Sequence, residues 1–561
     1  MKLKNNLKIR KIYAFLLCAL CIAGAFVSGA NAQKQSARSM KIILIPLDDR
    51  PPCLQKPVEL GAIADAEIVT PPRELLGKFT RFGESDKIIE WLKTQDLRKF
   101  DAAIVSLDML AYGGLVAMRE YETTRETAQK RIDFVREMKR KNPKLPIYAS
   151  SVIMRLAPTG NVTNEAYRVK LSRWAEISSE TANAKLQEEA QKLEKEIPAE
   201  ALANYKKARE RDLEGNLQAI DLAKQGVFDY LIVSQDDAHP TGVHIAEREI
   251  LIKRVNSLNL TEKVPVQPGA DEVSMLLMAR FIGKSRKYSP RIFPIYSSEE
   301  SRTKVMPFED RKLFETISFH IKSVGATEVS SEKDADILFY AFGSRFETGR
   351  AKTFLDEIER SVKAGKSVML IDVDPSAKTE GGDIEFSEDL KNRGIFRQFQ
   401  AYAAWNTAGN MIGTALPQAL IFNASKLKFP IVGEPTNYER DKIRLQKNVT
   451  AYKRVLQAQD WFLFHRWLDD YVYNTLIRAE VRKYAREKGW QQLRFDEKQS
   501  REVEAVVYPK IQERYEQDKK VLFGGKNSLN ANCIFADKVK FYLPWNRAFE
   551  AEIDFDLNCG K

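Results

Sequence analysis

From Lys41 onward the chain repeats one grammar: a short β-branched apolar run, a polar or Gly/Pro-rich turn, then a longer stretch whose apolar residues recur at helical spacing. The runs are 42–47, 67–70, 102–107, 146–153, 230–234, 264–267, 292–296, 337–341, 367–373 and 401–405. They are almost continuously apolar rather than alternating, which marks strands buried on both faces. A helix between successive strands supplies the crossover a parallel pair requires. The expected fold class is therefore α/β, built of repeated βα units with mainly parallel strands. Ten runs exceed the eight of a closed barrel, so a TIM-barrel-like domain with an added lobe and two facing α/β lobes both stand open.

The 561 residues suit roughly three domains. An N-terminal α/β, barrel-like domain is assigned to 40–300, with a charged helical insertion at 163–226 interrupted at Pro198. A polar run at 297–302 separates it from a second α/β lobe at 301–430. Residues 431–561 read as a helical C-terminal region ending in a short β segment. Trp461, Phe462, Phe464, Trp467, Leu468, Tyr471 and Tyr473 crowd one helical stretch there, the pattern of a packed core.

The first 32 residues differ in kind. Lys2, Lys4, Lys8, Arg10 and Lys11 precede an apolar run at 12–27, and Ala30-Asn31-Ala32 supplies the small-x-small cleavage pattern. This is a signal peptide with its cut between Ala32 and Gln33, so the mature protein is expected in the periplasm or outside the cell. The run is shorter than the ~20 residues of a spanning helix, and no stable membrane span is expected after cleavage. Five of the cations behind the net charge of +12 leave with the leader, and the rest are dispersed among acids. Nucleic acid is accordingly not an expected partner. Neither GxxxxGK[ST] nor GxGxxG after a strand occurs, and no cofactor is expected. Of the cysteines that remain, Cys533 and Cys559 either pair or stay reduced, with Cys53 buried.

Carboxylates recur where the apolar runs stop: Asp48 and Asp49, Asp108, Asp236 and Asp237, Asp271 and Glu272, Asp372 and Asp374. In parallel α/β proteins the C-terminal strand ends share one face, where ligands bind, so these acids can meet in one site. Each Asp can instead cap the next helix, and for Asp271 capping is the strongest competing reading. The segment 234–242 carries Asp236, Asp237 and His239, two acids where a strand unravels into its loop. Asp48 or Asp49 with Arg50 can hold a hydroxyl or carboxylate, and Pro51-Pro52 stiffen that turn, with a cis bond open. Arg155 ends the fourth strand and can neutralise an acid. Trp405, Asn406 and Asn410 suit a polyol, a ring for stacking and amides for hydroxyls. Asp236, Asp237 and Glu272 are the expected catalytic residues. Asp48, Asp49, Arg50, Asp108, Arg155, His239, Trp405, Asn406 and Asn410 are the expected substrate contacts.

The segments 46–52, 234–242, 268–272 and 405–413 together resemble the bacterial family catalogued as domain of unknown function 4127, over most of the mature chain. That resemblance implies no reaction. A shorter likeness, in Asp236-Asp237 and Trp405-Asn406, is similar to barrel hexosaminidases that use the substrate's own acetamido group.

The expected function is a secreted hydrolase, a glycosidase acting on a small-molecule or oligosaccharide substrate through the carboxylate cluster. Two alternatives stand beside it. One is a metal-dependent hydrolase in which Asp48, Asp236, His239 and His244 serve as ligands. The other is a non-enzymatic carbohydrate- or envelope-binding protein.

Overall fold

The computed structural model describes residues 39–561 apart from 162, 346, 348, 377–380, 429–437, 492–493, 525–532 and 560–561. The leader at 1–32 therefore lies outside the described residues.

All ten apolar runs become strands, in two open parallel sheets rather than a closed barrel. The first contains β1 (Met40–Ile45), β2 (Ala66–Val69), β3 (Ala102–Ser106), β4 (Ile147–Ile153), β5 (Tyr230–Gln235) and β6 (Val266–Pro268), in the order β2-β1-β3-β4-β5-β6. The second contains β7 (Arg291–Tyr296), β8 (Thr327–Glu328), β9 (Ile337–Phe342), β10 (Val368–Asp372) and β11 (Ala401–Ala403), in the order β11-β10-β9-β7-β8. The change of sheet falls between β6 and β7, ahead of the polar run at 297–302, because β7 pairs with β8 and β9. Ile42 to Ile45, Ala102 to Val105 and Tyr148 to Val152 are all buried, as strands covered on both faces must be.

The two sheets share a topology. In each, the first strand lies between the second and the third, so the winding reverses there: between β1 and β3 in one, between β7 and β9 in the other. A reversal splays the connections apart and opens a crevice beyond the carboxyl ends of the strands. Asp48 and Asp108 follow β1 and β3 at the first reversal. Helix Val273–Ser285, which leaves the first sheet, packs against helix Ala408–Lys428, which leaves the second.

The insertion forms helices Arg168–Ile177, Ala184–Glu196 and Ala199–Lys224, with the break at Pro198. The C-terminal region runs through helices Tyr438–Arg466, Trp467–Ile477 (a π-helix), Arg478–Glu487 and Glu497–Phe523. Its aromatic cluster is core: Phe462, Phe464, Trp467, Tyr471 and Tyr473 are fully buried. Two antiparallel pairs close the chain, β13 (Lys540–Tyr542) with β14 (Glu552–Asp554), and β12 (Cys533–Phe535) with β15 (Leu557–Cys559). The latter register sets residue 533 directly opposite 559. Among the described residues no helix is long and apolar enough to cross a membrane.

Candidate active site

Asp48 and Arg50 form the base of the site. Arg50 is buried and donates to Asp48 Oδ2 from Nε (3.0 Å) and Nη2 (2.6 Å), to Asp271 (2.6 and 3.2 Å) and to Glu550 Oε1 (3.2 Å). Its guanidinium also stacks 4.8 Å from the Trp545 ring. A buried cation with three carboxylates is satisfied only by such multiple, near-planar bonds, which Arg supplies and Lys does not. Asp49 turns the other way and accepts from Trp545 Nε1 at 2.5 Å, while burial raises its carboxyl above the usual range. The bonds before Pro51 and Pro52 are trans. Asp271 does not cap a helix: its carboxylate is taken by Arg50, and Glu272 occupies the cap position of Val273–Ser285 without a side-chain capping bond. Burial moves the Asp271 carboxyl up to about 6 even with Arg50 beside it.

At the end of β5 the two adjacent acids separate. Asp237 has φ +29°, an uncommon backbone for a residue with a Cβ. Asp236 is buried and accepts from Arg119 Nη2, whose Nη1 donates to Thr159 Oγ1 at 2.8 Å. Asp237 accepts from Arg155 Nη1 at 2.6 Å, and its side chain remains 35% exposed. Arg119 also belongs to the wall of a cleft of about 300 Å³ between the strand ends and the insertion, with Pro158, Tyr167, Leu171, Asn204 and Tyr205.

The loop 304–312 crosses to this point from the second sheet, and Ala238 donates its N–H to Phe308 O at 2.9 Å. It brings in Glu309, which is buried, accepts from the Gly409 N–H at 2.9 Å and leaves Oε2 without a partner. Burial lifts its carboxyl to about 8, with Glu272 and Asp237 adding like-charge repulsion against a single backbone donor. Glu272 accepts from Asn410 Nδ2 at 2.7 Å. A Cβ at Gly409 would lie 3.0 Å from Glu309 Oε1 and 3.8 Å from Glu272 Oε1, so both acids border one spot at the start of helix Ala408–Lys428.

Asn410 Oδ1 in turn accepts from Asn406 Nδ2 at 2.5 Å, with Asn406 at φ +57°. Trp405 is buried, its Nε1 3.2 Å from Thr414 Oγ1 and its ring covered by Lys56 Nζ at 3.5 Å. Lys56 is itself buried, which lowers its ammonium to about 8. A cavity of about 10 Å³, room for about one water, is lined by Trp405, Asn406 and Glu550 among others. Asp108 is buried against the Val152 N–H at 3.1 Å, and desolvation raises it to about 7.

His239 and His244 take partners other than the clustered strand-end acids. His239 Nδ1 lies 3.7 Å from Glu176 of the insertion, and buried His244 bonds through Nε2 to the His239 backbone, its imidazolium disfavoured down to about 3 by desolvation. Asp48, Asp236 and the two histidines do not form a ligand set among the described residues. The one grouping of three possible ligands found there, Asp48, Cys53 and Asp271, has its two carboxylates occupied by Arg50. Asp372 and Asp374 lie elsewhere, beside Arg345 at the end of β10.

Sequence reasoning passed over Arg119, Glu309, Glu550 and Trp545. Arg119 and Glu309 stand at the end of none of the strands, and Glu550 arrives from the C-terminal segment. Residues 42–554 match a family model described as Protein of unknown function (DUF4127). No curated protein matches the chain.

Proposed function

The chain belongs to the DUF4127 family, and on the geometry of its carboxylates we propose that it is a glycoside hydrolase whose acid–base machinery is the Glu309–Asp237 carboxylate pair. The observation that carries the reading is the contrast between these two acids. Glu309 is enclosed and short of donors, whereas Asp237 is salt-bridged to Arg155 and reaches solvent. Environments that drive neighbouring carboxyls apart assign a proton donor and an ionised partner. In this reading Glu309 passes its proton to the glycosidic oxygen as the C–O bond breaks. Asp237 takes a proton from the water that adds to the anomeric carbon. Asp236, locked by Arg119, orients the loop, and the Arg50 network fixes Asp271 and therefore the neighbouring Glu272. The cleft beside Arg119 receives the sugar, with Tyr167 and Asn204 on its wall. Export belongs to the same reading: sequencing the N-terminus of the protein recovered from its producing cell should begin at Gln33.

The test is hydrolysis of a panel of aryl glycosides, N-acetylhexosaminides included, by the chain from Gln33 onward. Turnover of at least one glycoside is expected, with Glu309→Gln and Asp237→Asn each slowing it by ~10²-fold or more. Full activity in either variant, or no hydrolysis across the panel, overturns the assignment.

A further inference from the structure

Glu272 and His320 meet in a part of the acidic cluster that takes no share in the proton-transfer steps above. Both side chains are fully buried. Glu272 is pressed into a cradle of glycines: a Cβ at Gly269 would stand 1.9 Å from its Oε1, and one at Gly413 would stand 2.0 Å from its Cγ. Oε2 accepts from Asn410 Nδ2 at 2.7 Å and from the Ala270 N–H at 3.3 Å. Oε1 has no hydrogen-bond partner and faces His320 Nε2 at 3.7 Å, an atom that has none either.

The other ring nitrogen settles the tautomer. His320 Nδ1 lies 2.8 Å from Thr316 O, and a carbonyl only accepts, so Nδ1 carries a hydrogen. In a neutral ring Nε2 would then be a bare acceptor aimed at a carboxylate oxygen, two lone pairs facing each other between fully buried side chains. A proton on Nε2 turns that repulsion into an ion pair. The surroundings favour it. His320 sits in the last turn of helix Leu313–Ser323, where the macrodipole attracts a cation. Oε2 is already taken by two N–H donors, so Oε1 is the oxygen left to face the ring. Other charges nearby do not serve the pair: Asp271 is bound to Arg50, Glu309 to the Gly409 N–H, and Arg280 to the carbonyls of Lys322 and Ser323.

We infer that His320 is a positioning residue, an imidazolium that holds Glu272 as a carboxylate beside Glu309. This deepens the glycosidase reading and rests on it for its purpose: the fixed negative charge of Glu272 keeps the proton on Glu309. The protonation state itself can be tested without any substrate. The chain has four histidines, so protein labelled with [13Cε1]histidine should give four ring signals, with that of His320 identified by its loss in His320→Gln. At pH 7 the wild-type signal is expected at the imidazolium position, and in Glu272→Gln it should move to the neutral position. A wild-type spectrum with no imidazolium signal at pH 7 overturns the inference without recourse to any variant, and so does a neutral signal assigned to His320. An unchanged imidazolium signal in folded Glu272→Gln also overturns it. Failure of the glycoside panel alone leaves these outcomes intact and counts against the catalytic reading only.

Discussion

Asp236 and Asp237 are consecutive in the chain, yet each carboxylate is held by a different arginine, Arg119 for the first and Arg155 for the second. The positive φ at Asp237 aims the two side chains into different surroundings, one enclosed and one open to solvent. A non-glycine residue held in that region is costly and persists where neighbours impose it. Here the two ion pairs and the Ala238–Phe308 backbone bond impose it.

This division predicts opposite consequences for two similar substitutions. Asp236→Ala strands the buried Arg119 and should cost ~3–5 kcal/mol, read as a lower urea midpoint. Asp237→Asn weakens a partly exposed pair and should cost less than ~1 kcal/mol, while slowing glycoside turnover by ~10²-fold or more. Equal destabilisation by the two would contradict the assignment of Asp237 to the reaction and Asp236 to the frame.

Glu309 makes stability depend on pH. Its carboxyl is raised from 4.5 to about 8, so between those values the folded protein binds a proton that the unfolded chain releases, and stability falls as pH rises through that window. Glu309→Gln removes the titrating group. Relative to wild type, the variant should gain stability on going from pH 5 to pH 9 by on the order of 4 kcal/mol, a tenfold difference in proton affinity being worth about 1.4 kcal/mol. Comparison of unfolding midpoints at the two pH values checks this, because the wild-type-minus-variant difference cancels the other raised carboxyls, such as Asp108. A difference that stays flat with pH would mean that Glu309 is not protonated in the folded state.

Much of the fold was legible because its signal is local. Every apolar run became a strand, since β-branched continuity and the turn after it are properties of a few adjacent residues. Sheet membership was less so. β7 looks like the runs before it, and only pairing across the sheet shows that it belongs with β9. The site divides in the same way. Acids at strand ends were visible, because a parallel sheet carries them to one face. Glu309 lies on a loop, and nothing in 304–312 announces that Gly409, a hundred residues on, will bond it. Residue type alone marks Trp405 and Asn410 as ligand contacts; in the fold the Trp405 ring takes Lys56 and Asn410 holds Glu272. Residue type states what a side chain can bond and leaves its partner to tertiary packing.

Arg50 joins a carboxylate of its own turn to carboxylates from two distant segments, and its loss should be felt throughout the site. Arg50→Met leaves Asp48, Asp271 and Glu550 buried without their shared cation, at an expected cost of ~3–5 kcal/mol at neutral pH. The cost should be smaller at pH 5. Asp271 is already at about 6 with Arg50 present, and without it the carboxyl rises further and is neutral in acid. Denaturant unfolding at pH 5 and pH 8 gives the comparison; a penalty that grows toward acid would show that the arginine is not what keeps these groups ionised.

Gly413 offers the sharpest test of how Glu272 is held. It lies inside helix Ala408–Lys428, where Gly→Ala ordinarily stabilises by up to ~1 kcal/mol. At this position the new Cβ would stand 2.0 Å from Glu272 Cγ and 2.9 Å from its Cβ, so Glu272 must move and the Asn410 bond must break. Gly413→Ala is therefore expected to cost ~1–3 kcal/mol, the range for overpacked sites. In a Glu272→Ala background the obstructing atoms beyond Cβ are gone, most of the penalty should vanish, and the helix-propensity gain should begin to show. The coupling between the two substitutions, measured as a double-mutant cycle on unfolding free energy, should exceed ~1 kcal/mol. If Gly413→Ala costs the same in both backgrounds, the close approach of the two helices rather than the Glu272 side chain requires the glycine, and the cradle assigned to that carboxylate is wrong.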